Sequence, residues 1–341
     1  MGGGSILKAR YHFNDICYTS KVMKRVIERC RQVARGDSTV MLCGETGTGK
    51  ELFAQSIHNA SARADGPFLA INCAAIPENL LEGLLFGTEK GAYTGAESRA
   101  GLFEQANGGT LLLDELNSMN IGLQAKLLRV LQDQTFRRVG GSAQISVNVR
   151  ILSNINVPPR QAIAQNKLRQ DLFYRLGVVD LTIPPLRERR EDIPLLAKTF
   201  IMQLNGILGK NVKDLDRRAM EILLDYDWPG NVRELQHAVE YAMNILPEDF
   251  SVITEDYLPE RLTFQQEKQA PAQQEKRAAS LSHTIQDVEY YTVCQALRAS
   301  GGNISEAARK LGLSRQSLQY RIRRYGINVQ ELLRTPMPGL E

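Results

Sequence analysis

The sequence predicts an α/β fold class, a parallel sheet covered by helices on both faces, followed by a smaller helical domain and a terminal all-α module. Three observations predict it. Short apolar runs alternate with helical patterns as far as residue 184, only helical periodicity continues beyond Pro184-Pro185, and a polar stretch then isolates a basic segment.

The runs are STVMLCG (38–44), PFLAINC (67–73), GTLLLDE (109–115), VRILSNIN (149–156) and VVDLTIP (178–184). Near-continuous apolar runs with longer helical segments between them are what strands buried on both faces look like. Helices are expected over 191–208, 216–226 and 231–246, forming the second domain. Residues 263–281 are rich in Gln, Ala, Lys and Glu, hold too little apolar surface to fold alone, and read as a linker. A helix over about 284–299 ends at Ser300-Gly301-Gly302, and two shorter helices flank Gly312-Leu313. The expected division is a tag or linker remnant (1–11), an α/β core (12–186), a helical lid (187–262), the linker (263–281), a helix-turn-helix domain (282–330) and a tail (331–341).

Composition narrows the class. The chain has 341 residues, 43% hydrophobic and 23% charged, as a folded globular protein of two or three domains does. Five cysteines (Cys17, Cys30, Cys43, Cys73, Cys294) are scattered, without CxxC or a neighbouring His, which argues for reduced thiols rather than a zinc site. No run approaches the roughly 18 apolar residues of a membrane span and no signal-peptide core is present, so a soluble, cytoplasmic protein without a membrane partner is expected. The net charge of +4 says little until its distribution is examined.

GETGTGKE (Gly44, Glu45, Thr46, Gly47, Thr48, Gly49, Lys50, Glu51) joins a strand to the helix ELFAQSIHNA. Glycines there let backbone N–H groups wrap phosphate oxygens, the helix N-terminus adds partial positive charge, and Lys50 reaches the β and γ phosphates. Glu51 stands where the general pattern has a hydroxyl for Mg²⁺, so either another residue holds the metal or Thr48 and water do. Asp114 and Glu115 close the strand TLLL, where ligands gather in open parallel sheets. Asp114 suits the Mg²⁺ shell and Glu115 the proton of an attacking water, the positioning and electrostatics that phosphoryl transfer needs. Asn156, with Asn154 as the alternative, is a candidate sensor of the γ-phosphate. Arg169 and Arg175 sit on opposed helical faces unless their segment is broken, and are candidates for a neighbouring subunit's γ-phosphate. Arg233 is placed to contact nucleotide from the helical domain.

GETGTGKE, GAYTGA (91–96), GGTLLLDE, RVGG (138–141), LRQDLFYRL, PPLRERREDI and DWPGNVREL, in this order, resemble the AAA+ domain of bacterial enhancer-binding proteins, the ATP-driven activators of sigma-54 RNA polymerase. The resemblance covers roughly residues 12–262 and implies an AAA+ P-loop αβα sandwich with a helical lid. It implies ATP and Mg²⁺ as cofactors, Lys50 as the Walker A lysine, and Asp114 and Glu115 as the Walker B metal and water residues. It further implies Asn72 as the switch that restrains the Walker B glutamate, Arg169 and Arg175 as paired arginine fingers, and Arg233 as the second sensor. Gly91, Ala92, Tyr93, Thr94, Gly95 and Ala96 match the loop that touches the sigma-54 holoenzyme. The family's P-loop commonly carries Glu after Lys, so Glu51 fits. Departures are Tyr93 for the usual Phe, Leu84 in LLFG, Tyr18 where a glycine is common near the adenine, and Ile155 for a frequent Thr. The stretches LLEGLLFG and LDELNSMN are similar to the arginine-utilisation type of activator. A hexamer or heptamer ring follows from the family.

From 301 to 326 six basic residues face one acidic residue, so the modest total charge hides a basic module. Ala307, Ala308, Leu311, Leu313, Leu318 and Ile322 form the apolar seam of a helix-turn-helix whose second helix Ser314 caps. It resembles the Fis-type domain that ends many enhancer-binding proteins. Arg315, Gln316 and Gln319 are placed for base edges and Arg321, Arg323 and Arg324 for phosphates, and Ser314 and Tyr320 are also expected among the contacts to upstream enhancer DNA. The helix at 284–299 is the expected dimer contact. Two other readings compete. A DNA-binding repressor would lack the GAFTGA-like loop, and another AAA+ remodeller would explain neither that loop nor the helix-turn-helix.

Overall fold

The computed structural model describes residues 8–93, 95–263, 290, 292–313, 315–324 and 327–332, in two units, Met1–Thr263 and Phe264–Glu341. The first unit opens with α1 (Lys21–Ala34), whose first turn is capped by the Ser20 hydroxyl accepting from the Met23 amide at 3.3 Å. β1 (Val40–Cys43), α2 (Lys50–Asn59), β2 (Phe68–Asn72), α3 (Glu78–Phe86), α4 (Leu102–Gln105) and β3 (Thr110–Asp114) follow. α5 (Ile121–Asp133), capped by Asn120, leads through an antiparallel pair of two-residue strands, β4 (Thr135–Phe136) and β5 (Ile145–Ser146), to β6 (Arg150–Ile155). Then come α6 (Pro159–Ala164), α7 (Gln170–Leu176) and β7 (Val179–Thr182).

The five apolar runs are the five strands of one parallel sheet, in the order β2-β3-β6-β1-β7. The period of two along a strand divides their side chains between two cores. Met41, Cys43, Leu69, Ile71, Leu111, Leu113, Ile151 and Ile155 pack with α3, α4, α5 and α7 on one face. Val40, Leu42, Phe68, Leu112, Leu152 and Leu181 pack with Met23, Ile27, Phe53 and Ile57 of α1 and α2 on the other. Burial on both faces, at about 1.5–3 kcal/mol for each large aliphatic side chain, is why these strands read as unbroken apolar runs. The register pairs Cys43 with both Ile155 and Thr182, Asn72 with Asp114 and Leu113 with Ser153, so all five strands end together on one edge.

The remainder of this unit is α8 (Ile193–Leu208), β8 (Asp214–Leu215), α9 (Arg217–Asp225), α10 (Asn231–Ile245), β9 (Val252–Ile253) and α11 (Glu260–Thr263), around a core that includes the fully buried Trp228. Strands do not stop at Pro185, contrary to the sequence expectation. β8 and β9 pair in parallel, two residues each, which is too short to leave a periodicity.

In the second unit a helix over 292–299 (α12) precedes α13 (Ile304–Lys310), α14 (Arg315–Arg324) and α15 (Val329–Leu332). Asn303 caps α13 by accepting from the Ser305 and Glu306 amides, and Gly312 takes φ +67° at the turn. Ala307, Ala308 and Leu318 are buried with Val293, Cys294 and Leu297, and Leu311 and Ile322 pack against them, which are five of the six residues expected in the seam; Leu313 is half-buried outside this cluster. Residues 264–289, including most of the expected linker and the start of the helix at 284, lie outside the described residues, as do 1–7 and 333–341.

Candidate nucleotide site and remodelling loop

The phosphate loop leaves β1 and enters α2 at Lys50, with Gly49 as N-cap at φ +97° and Gly47 at φ +81°. Those left-handed angles favour glycine. A Cβ on Gly47 would lie 2.2 Å from the Gly230 carbonyl oxygen, so backbone packs directly on backbone there. Lys50 is buried, and its Nζ donates to the carbonyls of Gly44 (2.6 Å) and Glu45 (3.0 Å). Burial pushes its pKa down, opposed by the carboxylates of Asp114 and Glu115. The Thr48 hydroxyl donates to the Glu45 carbonyl at 2.8 Å, and the Thr48 amide reaches the same oxygen at 3.4 Å. Glu51 is exposed and accepts from Gln55 Nε2 at 3.0 Å.

Residues from beyond the sheet close over this loop. Arg187 clasps the Glu45 carboxylate through Nη2 (2.6 Å) and Nη1 (2.9 Å), and Asn231 Nδ2 adds a third donor at 3.1 Å. The Arg187 guanidinium holds the Glu45 carboxyl below its ordinary pKa. Asn231 Nδ2 also donates to the Thr46 carbonyl (3.0 Å), the Val232 amide to the Gly47 carbonyl (3.0 Å), and Arg189 Nη2 to the Thr48 carbonyl (3.1 Å). The Arg233 amide reaches Gly47 O at 3.4 Å, and the positive charge of its exposed side chain depresses the Lys50 pKa. Burial lowers the pKa of Arg189 to about 10.

Asp114 sits at the end of β3, its Oδ1 accepting from Asn154 Nδ2 (3.0 Å) and from the Glu115 amide (3.1 Å). Glu115 takes φ +52°, a strained angle for a side chain with a Cβ. Asn72 differs from expectation. Its Nδ2 lies 3.4 Å from Asp114 Oδ2, and its Oδ1 accepts from the Ala74 (2.8 Å) and Ala75 amides, so it engages the aspartate rather than Glu115. Asn154 is fully buried, whereas Asn156 lines an open cleft of about 730 Å³ with Glu45, Thr46 and Asn117. Asn117 Nδ2 donates to Asn156 Oδ1 at 3.0 Å, which leaves the Asn156 amide nitrogen as its remaining polar group. Of the two candidates, Asn156 has the access a phosphate sensor needs.

Arg169 is not on a helix with Arg175. It is the N-cap of α7 at ψ 137°, so the segment is broken there. Its guanidinium pairs with Asp171 (2.7 and 3.0 Å), and that of Arg175 donates to the Leu131 carbonyl (2.6 Å). Neither lines the cleft of its own chain.

GAYTGA lies between α3 and α4. An antiparallel bridge between Thr88 and Arg99 ties its base, and the RVGG segment props it. The Glu89 amide donates to the Val139 carbonyl (3.0 Å), and Arg138 binds Glu104 (2.6 Å), Glu89 (3.0 Å) and Ser98 (3.3 Å). Gly91 and Gly95 have φ +89° and +83°, and Tyr93 stands 55% exposed between them. Gly91 and Gly95 are exposed and Ala92 half-buried, but Ala96 is 8% exposed and is not placed for contact. Thr94 lies outside the described residues.

On α14 Arg315 is exposed, and Gln319 and Arg321 are half-buried. Ser314 and the side chains of Gln316, Tyr320, Arg323 and Arg324 lie outside the described residues. No described helix is long and apolar enough to cross a membrane. Sequence reasoning missed Arg187, Arg189, Asn231 and Asn117, although PPLRERREDI, DWPGNVREL and LDELNSMN mark their neighbourhoods.

Among the described residues no group of three or more His, Cys, Asp or Glu side chains is gathered for a metal. Mg²⁺ is usually held by one or two carboxylates together with water and substrate phosphates, and a single carboxylate at Asp114, opposite Lys50, fits that demand.

Comparison with known proteins places these features. Residues 16–182 match the Sigma-54 interaction domain, 187–275 the AAA+ ATPase lid domain, and 284–325 the Bacterial regulatory protein, Fis family. The transcriptional activator RocR of Bacillus subtilis is 49% identical over 327 residues, covering 94% of this chain and 70% of RocR. The regulatory protein AtoC of Escherichia coli is 42% identical over 330 residues, with the same two coverages of 94% and 70%. Crystal structures of NtrX from Brucella abortus, in complex with ATP and with ADP, superpose with TM-scores of 0.68 and 0.70 at 35% identity, covering 92% of this chain and 69% and 70% of theirs. The chain belongs to the sigma-54-dependent transcriptional activators, as an AAA+ ATPase with its lid and a Fis-type helix-turn-helix domain.

Proposed function

We propose that this chain binds DNA upstream of a promoter through residues 282–330, assembles into a hexameric or heptameric ring through residues 12–262, and couples ATP hydrolysis to opening of the sigma-54 holoenzyme's promoter complex. The observation that carries the proposal is an exposed Tyr93 at the tip of a propped loop, in a domain whose strand ends also build a phosphate site. An exposed aromatic flanked by two left-handed glycines suits a tip that inserts into a partner. That partner is the sigma-54 factor.

In this reading the amides of the loop from Gly44 to Gly49 and the Lys50 ammonium bind the ATP phosphates, with Arg233 reaching them from the lid. Asp114 would hold Mg²⁺, which would supply neutralisation of the charge developing on the phosphate oxygens. Glu115 accepts the proton of the attacking water, and Asn72 holds Asp114 in place. The Asn156 amide donates to the γ-phosphate. Arg169 and Arg175, which do not line their own cleft, complete the site of the next subunit, so a monomer is catalytically incomplete. Arg315 and Gln319 face base edges, and Arg321 backbone phosphates, of a DNA-bound dimer. A cytoplasmic location follows from these partners.

The test is capture of sigma-54 by the full chain loaded with ADP and aluminium fluoride, compared with Tyr93→Ala. Tyr93→Ala should bind nucleotide normally and lose sigma-54; undiminished capture would mean the loop is not the contact.

A further inference from the structure

The phosphate loop is usually read as a structure made by its own glycines, yet here its outer surface is built by the lid. Successive carbonyls, Thr46, Gly47 and Thr48, are each taken by a different donor, Asn231 Nδ2, the Val232 amide and Arg189 Nη2, at 3.0 to 3.1 Å. Each peptide is planar and trans, so a carbonyl turned toward the lid sends the following N–H the opposite way. The N–H groups so directed belong to Gly47, Thr48 and Gly49. The Glu45 side chain is locked by the same elements through Arg187 and Asn231.

The lid turn that supplies these donors is under strain. Trp228 and Asn231 have φ +52° and +53°, although neither is glycine, and both are fully buried. Such residues persist only where their surroundings over-determine them, and they gather at functional sites. Asn231 meets that condition, since its Oδ1 accepts from the Leu186 amide (2.8 Å) while its Nδ2 serves the phosphate loop. The Gly230 amide is held by Glu234 Oε2 at 2.8 Å, and a side chain on Gly47 would strike Gly230 itself. Left-handed turn and left-handed glycine are shaped to each other.

We infer that Asn231, with Arg187 and Arg189, is a positioning residue for nucleotide binding, which orients the phosphate-loop amides before ATP arrives and makes lid position and phosphate affinity one property. The inference rests on reading Gly44 to Lys50 as the nucleotide site. Because the clasp orients amides that meet phosphates common to both nucleotides, its loss weakens ATP and ADP together, and affects affinity more than turnover at saturation.

The experiment is calorimetric titration of the full chain with Mg-ATP and with Mg-ADP, alongside steady-state kcat and KM. In Asn231→Asp a carboxylate oxygen replaces the donor and faces the Glu45 carboxylate. We expect Kd for both nucleotides to rise about tenfold and KM to follow, with kcat falling by much less. Adding Glu45→Gln to Asn231→Asp returns a donor to the pair and should recover part of the affinity, which a merely structural lesion would not do. Arg187→Gln, at a half-exposed ion pair, should cost about threefold, and it decides the matter if Asn231→Asp does not melt cooperatively. Wild-type affinity for both nucleotides in the variants, or loss confined to ATP, overturns the inference. Lys50→Ala separates the two levels of the argument. If it binds nucleotide as tightly as the wild type, the nucleotide-site reading fails; if it loses binding while Asn231→Asp keeps it, only the lid's role fails.

Discussion

Gly140→Ala tests whether the RVGG segment supports the GAYTGA loop rather than the chemistry. Gly140 has φ +76°, and an added Cβ would lie 2.7 Å from Ala92 Cβ and 2.8 Å from Ala92 Cα. Carbon atoms prefer about 3.5–4.0 Å, so Ala92 must retreat by roughly 1 Å. The left-handed backbone adds a cost of about 1–2 kcal/mol for alanine. The nearest atoms to the added methyl all belong to Ala92, inside the loop, so relief comes most easily by displacing the loop tip. A penalty of that size lowers the population of the propped loop by a factor of about 5–30. The assay pairs ATP turnover with open-complex formation on a sigma-54 promoter. Turnover should stay within about twofold of wild type while open complexes fall about 5–30-fold. Wild-type yields of open complex, or an equal fall in both activities, would refute the reasoning.

Three further outcomes are expected. Arg187 and Arg138 hold the carboxyls of Glu45 and Glu104 below their ordinary value of 4.5, so the stabilisation they give is complete above that pH and lost as pH falls through the depressed values. Thermal unfolding followed from pH 7 to pH 3 should show this loss, and Glu104→Gln should flatten it. Trp228→Ala removes a fully buried indole whose Nε1 donates to the Leu223 carbonyl (2.8 Å), and should cost about 3–5 kcal/mol in urea unfolding followed by circular dichroism. Arg169→Ala and Arg175→Ala should abolish turnover while leaving ATP affinity near wild type, and mixing either with Lys50→Ala subunits should restore some activity if the arginines act between subunits.

The sheet was legible because its strands are buried on both faces, and the parity of Leu111, Leu112 and Leu113 between two cores shows the physical origin of the pattern. The phosphate loop was legible because positive φ at Gly47 and Gly49 restricts the residue type locally. Contacts between distant residues left no such trace. Arg187 clasps Glu45 across 142 positions, and nothing within PPLRERREDI distinguishes that arginine from its charged neighbours. The engagement of Asn72 with Asp114 follows from strand register, which pairs those two residues directly and which sequence spacing does not encode. Ala96 shows the limit of motif reasoning, since a motif names six residues as one unit while packing turns one of them inward. The two-residue strands β8 and β9 are below the length at which period two can be recognised.

The most direct measurement of the central claim is ATP-dependent open-complex formation by the sigma-54 holoenzyme on a promoter carrying an upstream binding site, with the full chain, Tyr93→Phe and Lys50→Ala compared at matched concentration. The account predicts open complexes with the full chain and with Tyr93→Phe, and none with Lys50→Ala or when ATP is replaced by ADP. Failure of both the full chain and Tyr93→Phe, or open complexes formed by Lys50→Ala, would contradict it.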